Sequence, residues 1–230
     1  MHLDVVVGYD TLNEPHSGFI GVPDLAQIPP HQILRFQITA TPFQAIELAS
    51  GLTKVVDWYD RSWRGPVKNG QVTVNKEKVS AFLPGFSCPW LQHDVWKLEE
   101  GSKAKLLKPR YFSVKPDGVT KYDFMSDFWL PFVAAFSSAI RSVDAKTIVF
   151  VEPSVMEVPP AFPGSKSYKA PEGLDEKALA GPIAYAPHWY DGLTLFNKSF
   201  SMFNVDITAI ARGASPLTAL RVGTAAIRQW

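Results

Sequence analysis

Three short apolar runs, each ending in a polar turn, stand out in the hydrophobic pattern of this chain. They cover residues 5–7, 147–151 and 183–186 and show no alternation of apolar and polar positions. A strand that is covered on both faces can be apolar at successive positions, as in a parallel sheet. Helical patterns separate the runs, so we predict an α/β protein with three buried, parallel strands.

The clearest helical pattern covers residues 123–143. Every fourth position carries a large apolar residue: Phe124, Phe128, Phe132, Phe136 and Ile140. With Met125, Trp129 and Val133 beside them, they form one wide apolar face, which we predict to pack in the core. Pro131 predicts that the helix either kinks or begins there.

Weaker patterns predict shorter elements. Thr41 and Pro42 suit the cap and the first position of a short helix. Residues 175–179 form a short acidic helical piece, and Ser215 with Pro216 predicts a helix that continues to about residue 229. Residues 71–75 alternate and indicate a short edge strand.

Residues 16–122 form a long region with many Pro and Gly turn signals and little periodicity. Such a length without regular structure is unusual inside one domain unless it has a function. We interpret it as an elaborated loop that covers a cleft, inserted in a single domain of residues 1–230. A separate small subdomain is the alternative.

Composition excludes several classes of protein. The formal net charge of the 230 residues is +1, so there is no electrostatic case for binding nucleic acid. Cys88 is the single cysteine and the histidines lack metal-ligand spacing, so we predict no disulfide, no metal and no cofactor. No apolar run is long enough to anchor the chain in a membrane, and no leader pattern opens it. We therefore favour an intracellular location, cytoplasmic or vacuolar.

Polar or aromatic residues follow each predicted strand: Asn13 and Glu14, then Glu152, then His188, Trp189 and Tyr190. The carboxyl ends of parallel strands lie on the same side of a sheet, so these residues can share one cleft. A carboxyl group at such a position is partly removed from water, which suits Glu14 to proton transfer. Glu152 precedes a proline as Glu14 does, and we expect it to occupy the corresponding place on its strand.

Three segments in order carry a resemblance to a known family: residues 8–15, residues 148–153 and residues 188–192. Together they resemble glycoside hydrolase family 5, in the branch of endoglycoceramidases and fungal glucosylceramidases or steryl β-glucosidases. The resemblance implies a (β/α)₈ barrel, of which this chain would supply about strands four to six, and a glycoside or glycolipid substrate.

The resemblance also implies roles for single residues. Glu14 would be the general acid/base, and Asn13 would hold the 2-hydroxyl of the sugar. His188 and Tyr190 would line the reaction centre, with Tyr190 orienting the nucleophile. Trp189 would stack on a sugar ring or, as an open alternative, pack in the core. For Glu152 we favour a structural or subsite role.

One required residue is missing from the motifs. Retaining glycosidases use two carboxylates about 5 Å apart. The second glutamate of the family should follow the next strand, yet residues 191–230 contain no glutamate. We therefore expect a central fragment of the barrel that is inactive alone and that needs the missing barrel strands as partners. The alternative is a non-catalytic protein that binds carbohydrate.

Overall fold

A computed structural model describes residues 5–29, 32, 35–62, 65–100, 103–155, 168, 170–171, 173–188, 198–206, 215 and 217–223. In this part of the chain we number the strands and α-helices in chain order. The strands are β1 (Gly8–Asp10), β2 (Gln37–Thr39), β3 (Lys54–Ser62), β4 (Gly65–Val74), β5 (Trp96–Glu99), β6 (Lys103–Leu106), β7 (Ile148–Val151), β8 (Ile183–Tyr185), β9 (Phe203–Val205) and β10 (Leu220–Val222). The α-helices are α1 (Pro42–Ala49), α2 (Pro89–Gln92) and α3 (Leu130–Arg141).

The chain divides into two compact units. The first contains residues Met1–His16 and Met125–Trp230, and the second contains Ser17–Phe124. The division falls close to the bounds of the long region without periodicity. The assignment of the whole chain to one catalytic barrel, with residues 16–122 as an insertion, stays a prediction.

The first unit contains a three-stranded parallel sheet in the order β1-β7-β8. Tyr9 of β1 lies opposite Val149 of β7, and Val149 lies opposite Ile183 of β8. Val149 and Val151 of the central strand point to one face and are fully buried, whereas Ile148 and Phe150 point to the other face and are partly buried. The predicted α/β class and the parallel pairing of three strands are therefore confirmed.

The position of the first strand differs from the prediction. Residues 5–7 were expected to form it, but β1 covers Gly8–Asp10, and Val5 and Val7 are 81% and 71% exposed. Gly8 explains the close pairing, since a Cβ there would lie 2.2 Å from the carbonyl oxygen of Ile148. An apolar run of three residues is too short to show where the pairing with β7 begins.

The long helix of the first unit has two parts. A π-helical turn covers Met125–Trp129, and α3 begins at Leu130 with Pro131 in its first turn. Proline is tolerated there because the first helical amides have no acceptor within the helix. Of the two alternatives for Pro131, a start of the α-helix is therefore the one observed.

The predicted apolar face is buried only in part: Trp129 and Val133 are buried, whereas the residues of the phenylalanine stripe are exposed or half-buried. Trp129, Leu130, Val133, Ala134 and Ser137 are buried, whereas Phe128 and Phe132 are 38% and 37% exposed. Residues four apart are rotated by about 40° on an α-helix, so a strict four-residue repeat turns away from any one face. The π-helical turn, with its longer hydrogen-bond spacing, shifts the preceding residues further.

The end of the chain also differs from the prediction. A helix was expected from Ser215, but residues 217–219 form a turn and β10 pairs antiparallel with β9. The hydroxyl of Ser215 accepts a hydrogen bond from the amide of Thr218, at 3.3 Å, and so caps a turn instead of a helix. Residues 224–229 lie outside the described part.

The short acidic piece is confirmed as a 3₁₀ helix over Glu176–Leu179, capped by Asp175.

The second unit contains an antiparallel sheet in the order β2-β3-β4 and a hairpin of β5 and β6. Its core is a cluster of buried residues: Val22, Leu25, Ile46, Cys88, Val95 and Trp96. The predicted α1 is confirmed, with reciprocal hydrogen bonds between Thr41 and Gln44 at its start. The predicted strand at 71–75 is the end of β4, which lies at an edge of its sheet.

Candidate active site

Four ionisable side chains meet beyond the carboxyl ends of the parallel strands. Asp10 ends β1 and Glu14 follows it in the next turn, Glu152 directly follows β7, and His188 follows β8. The main-chain pairing extends past the strands, since the Thr11 amide donates to the Phe150 carbonyl oxygen and the Ala186 amide to that of Val151. The loops therefore leave the sheet together, and their side chains converge.

His188 bridges two of the carboxylates. Its Nδ1 lies 2.8 Å from Oε1 of Glu14, and its Nε2 lies 3.3 Å from Oε1 of Glu152. The hydrogen bond to Glu14 raises the pKa of His188, and the charges of Glu152, Glu14 and Asp10 raise it further against the opposing effect of desolvation. An imidazolium with both ring nitrogens donating is the form that these surroundings favour.

Glu152 is the most enclosed member of the cluster. Its side chain is buried, and its Oε2 accepts a hydrogen bond from the main-chain amide of Glu14 at 2.9 Å. Its own carbonyl oxygen accepts from the indole of Trp129 at 2.8 Å, and its amide donates to the hydroxyl of Thr11 at 3.3 Å. Both the main chain and the side chain of Glu152 are therefore held.

The expectation that Glu152 occupies the place of Glu14 is wrong. Asp10 lies opposite Phe150, so Glu152 stands level with Leu12, two residues before Glu14. Both glutamates precede a proline, but they lie at different distances from the ends of their strands. Glu14 lies at the far end of a turn, and Glu152 lies immediately at the sheet.

Asp10 belongs to the cluster although the motifs did not point to it. Burial raises the pKa of Asp10, and the hydrogen bond with the Glu152 carboxyl group and the charge of Glu152 add to this effect. Two carboxyl groups in contact cannot both ionise without a large cost, so the contact with Glu152 favours the protonated form of Asp10. The sequence offered one indication of this role, an acidic residue at the end of a strand. That indication becomes useful only when the register of β1 against β7 is known.

The main chain of Glu14 has an unusual conformation. Its φ is +46°, in the left-handed region that residues other than glycine rarely adopt. Such conformations persist where the surroundings hold them, and they concentrate at functional sites. The buried Pro15 follows directly, and the Glu152 carboxylate binds the Glu14 amide. The turn that presents the Glu14 side chain is thus fixed from both sides.

The other predicted site residues are placed as follows. Asn13 is exposed in the turn before Glu14. Trp189 and Tyr190 lie outside the described residues, so their roles stay predictions, as do the roles of Glu14, Asn13 and His188 in catalysis or binding.

Within the described ranges, no group of three or more His, Cys, Asp or Glu side chains is arranged to hold a metal ion. In the same ranges, no helix has the length and apolar character that a bilayer crossing requires.

Comparisons with known proteins point in one direction. A protein of Aspergillus fumigatus named glucosylceramidase is 32% identical over 98% of this chain, and one of Saccharomyces cerevisiae named ergosteryl-beta-glucosidase is 28% identical over 85%. The crystal structure of sterylglucosidase 1 of Cryptococcus neoformans matches 97% of the chain with a TM-score of 0.77 at 31% identity. No protein-family model matches the chain.

The match covers a limited part of these relatives. The chain spans 31% of the A. fumigatus protein, 26% of the S. cerevisiae protein and 32% of the C. neoformans structure. The resemblance predicted from the three ordered motifs is nevertheless confirmed by both the sequence and the structural matches. This chain is therefore a homologue of the fungal glucosylceramidases and steryl glucosidases, and it spans between a quarter and a third of their length.

Proposed function

We propose that this chain carries the acid/base part of a retaining β-glycosidase of family 5, and that it forms about strands four to six of a (β/α)₈ barrel. The observation that carries the proposal is the 2.8 Å contact between Glu14 and His188 at the carboxyl ends of parallel strands. Active sites of β/α barrels lie at this end of the strands. The similarity to fungal glycosidases over nearly the whole chain supports the same reaction class.

The geometry suits Glu14 to both of its proposed roles. In a retaining glycosidase the acid/base first protonates the oxygen of the leaving group and later removes a proton from water. The contact between Oε1 of Glu14 and Nδ1 of His188 holds one proton, which either group can carry. His188 can therefore support the Glu14 carboxyl group in its acid form and in its base form.

The nucleophile of the proposed reaction is not assigned to this chain. Glu152 is a nearby glutamate, but it is buried and its Oε2 is bonded to the Glu14 amide. A nucleophile must instead face the anomeric carbon of the sugar. Because residues 191–230 contain no glutamate, we propose that this chain alone does not hydrolyse glycosides.

The names of the relatives suggest the substrate class. They are a glucosylceramidase and an ergosteryl-beta-glucosidase, which act on glucose linked to a lipid. We propose a glucosylceramide or a steryl glucoside as the substrate of the protein to which this chain contributes.

The first test establishes which residues accompany this chain in the cell. Sequencing of the transcript should show an open reading frame in which a further strand ending in glutamate follows Trp230. The encoded protein is then assayed with glucosylceramide, a steryl glucoside and an aryl β-glucoside that has a good leaving group. Hydrolysis with retention of configuration is expected.

The Glu14→Gln variant of that protein tests the acid/base. We expect kcat/KM on the glycolipid to fall about 10²- to 10⁴-fold, the usual contribution of a general acid. The loss on the aryl β-glucoside should be smaller in the first step, since its leaving group needs no proton. Glu176→Gln, which changes an exposed glutamate of the 3₁₀ helix, serves as the control and should retain activity.

Two results would contradict the proposal. One is hydrolysis by the isolated 230-residue chain at the rate of a complete enzyme. The other is an encoded protein that binds glycolipid without hydrolysing it, which would support the alternative of a non-catalytic carbohydrate-binding protein.

A further inference from the structure

We propose that Glu152 is a positioning residue that holds the Glu14 main chain and the His188 ring in their reactive arrangement through the two oxygens of one carboxylate. The inference rests on the proposed function, because it assigns the support of the proposed acid/base. It goes beyond it by giving a defined task to a buried glutamate that the motifs leave without one.

The position of Glu152 in the sheet makes this task possible. Glu14 follows β1 and His188 follows β8, and these strands are separated by β7 in the strand order. Glu152 follows the central strand and reaches both sides: Oε2 lies 2.9 Å from the Glu14 amide nitrogen, and Oε1 lies 3.3 Å from Nε2 of His188. One side chain thereby connects two loops whose strands do not pair with each other.

The contact with Glu14 acts on a strained residue. Glu14 has a φ of +46°, and its amide points at Oε2 of Glu152. A hydrogen bond from an amide to a carboxylate is stronger than one to a neutral acceptor. This bond stabilises the left-handed turn, and the turn in its conformation directs the Glu14 side chain toward His188.

Glu152 is itself fixed, as a positioning residue must be. The Trp129 indole donates to its carbonyl oxygen, its amide donates to the Thr11 hydroxyl, and its carboxyl group contacts Asp10. The side chain is buried, which limits the access of water to its oxygens. Among the described residues, the charged groups that face His188 are Asp10, Glu14 and Glu152.

The test uses nuclear magnetic resonance on the 230-residue chain and needs no catalytic activity. In the unaltered chain, we expect a scalar coupling across this hydrogen bond, between the amide nitrogen of Glu14 and the side-chain carboxylate carbon of Glu152. Its absence in folded protein would overturn the inference. This measurement does not depend on whether any variant folds.

Two variants then separate position from charge. Glu152→Gln keeps the shape and removes the charge, so the titration of the His188 imidazole should move to lower pH. Glu152→Asp keeps the charge but is shorter by one methylene group and cannot span both partners. We therefore expect the Glu14 amide resonance to shift in Glu152→Asp by at least as much as in Glu152→Gln.

Glu176→Gln is the matched control and should change neither signal. If both Glu152 variants are folded and neither moves the Glu14 amide resonance or the His188 titration, the inference is wrong. If Glu152→Asp restores the wild-type Glu14 resonance, the carboxylate acts by charge alone and the positioning role is likewise wrong.

Activity of the encoded protein gives a separate readout. Glu152→Gln should lower kcat about a hundredfold with little change in KM, as expected when a reacting group is misplaced. It should also move the alkaline limb of the pH profile to lower pH. If Glu14→Gln leaves activity intact, the proposed function fails, whereas the resonance measurements continue to test the contacts of Glu152.

Discussion

At the scale of single residues, the site depends on how three acids and one imidazole distribute their protons. His188 lies between Glu14 and Glu152, and Asp10 contacts Glu152 from the neighbouring strand. The raised pKa values of Asp10 and His188 favour a neutral Asp10 and a charged His188, which together reduce the repulsion among the carboxylates. Asp10 and His188 therefore retain their protons to a higher pH than they would as isolated groups.

A pH-dependent stability follows from this. The pKa of His188 is raised in the folded protein, so its contribution is fully present below its ordinary value of 6.5 and is lost as the pH rises through the folded value. The pKa of Asp10 is also raised in the folded protein, so its contribution to stability is fully present below its ordinary value of 3.8 and is lost as the pH rises through the folded value. We expect the melting temperature of the first unit to fall as the pH increases above 6.5.

The His188→Asn variant provides the comparison for this prediction. Its melting temperature should be below that of the wild type in mildly acidic buffer, and the two should converge at alkaline pH. Calorimetry across this pH range measures both. Equal slopes for the two proteins would show that His188 is not the group responsible.

The residue scale also shows where sequence reasoning succeeds. Glu14 and His188 were predicted to share a cleft because both follow buried strands, and the structure brings them into contact. Asp10 and the contacts of Glu152 were missed, since they depend on the pairing of Asp10 with Phe150. A shift of one residue in that pairing would turn the side chains to the other face of the sheet.

At the scale of elements, the helix that includes α3 shows how periodicity can mislead. Its existence and approximate bounds follow from the sequence, and Pro131 explains where the α-helical part begins. The sequence does not show which part of the apolar face is buried, because a π-helical turn changes the rotation before Leu130 and because the phenylalanine repeat drifts around the axis.

The burial of Leu130 and the partial exposure of Phe132 predict that truncating the smaller side chain destabilises the protein more. Leu130→Ala removes a buried side chain and should lower the free energy of unfolding by about 2–5 kcal/mol. Phe132→Ala removes a larger side chain that is 37% exposed, and its effect should be smaller. Urea denaturation followed by circular dichroism measures both. An equal or larger effect for Phe132→Ala would restore the phenylalanine stripe as the core face.

At the scale of the whole molecule, the parallel sheet has two open sides in the described part of the chain. There, β1 and β8 each pair with β7 and with no other strand. Unpaired strand edges favour association with further strands, and barrels remove such edges by closing. The proposal that the remaining barrel strands complete this unit therefore predicts a property of the isolated chain.

We expect the isolated chain to self-associate as its concentration rises, as measured by sedimentation velocity. Val7→Lys places a charge beside β1, at a residue that is 71% exposed, and should weaken the association. Val119→Lys, at an exposed position of the second unit, is the matched control and should leave it unchanged. A monomer with a sharp, cooperative thermal transition would contradict the prediction.

The separate core of the second unit has a consequence for the evolution of such proteins. Every member of that buried cluster, from Val22 to Trp96, comes from Ser17–Phe124, and the polypeptide passes between the units after His16 and before Met125. A recombination event at these two junctions would transfer the entire module with its interior intact. Homologues that lack it, or that carry a different one, could therefore arise in a single genetic step, with Asn13 and Glu14 left in place.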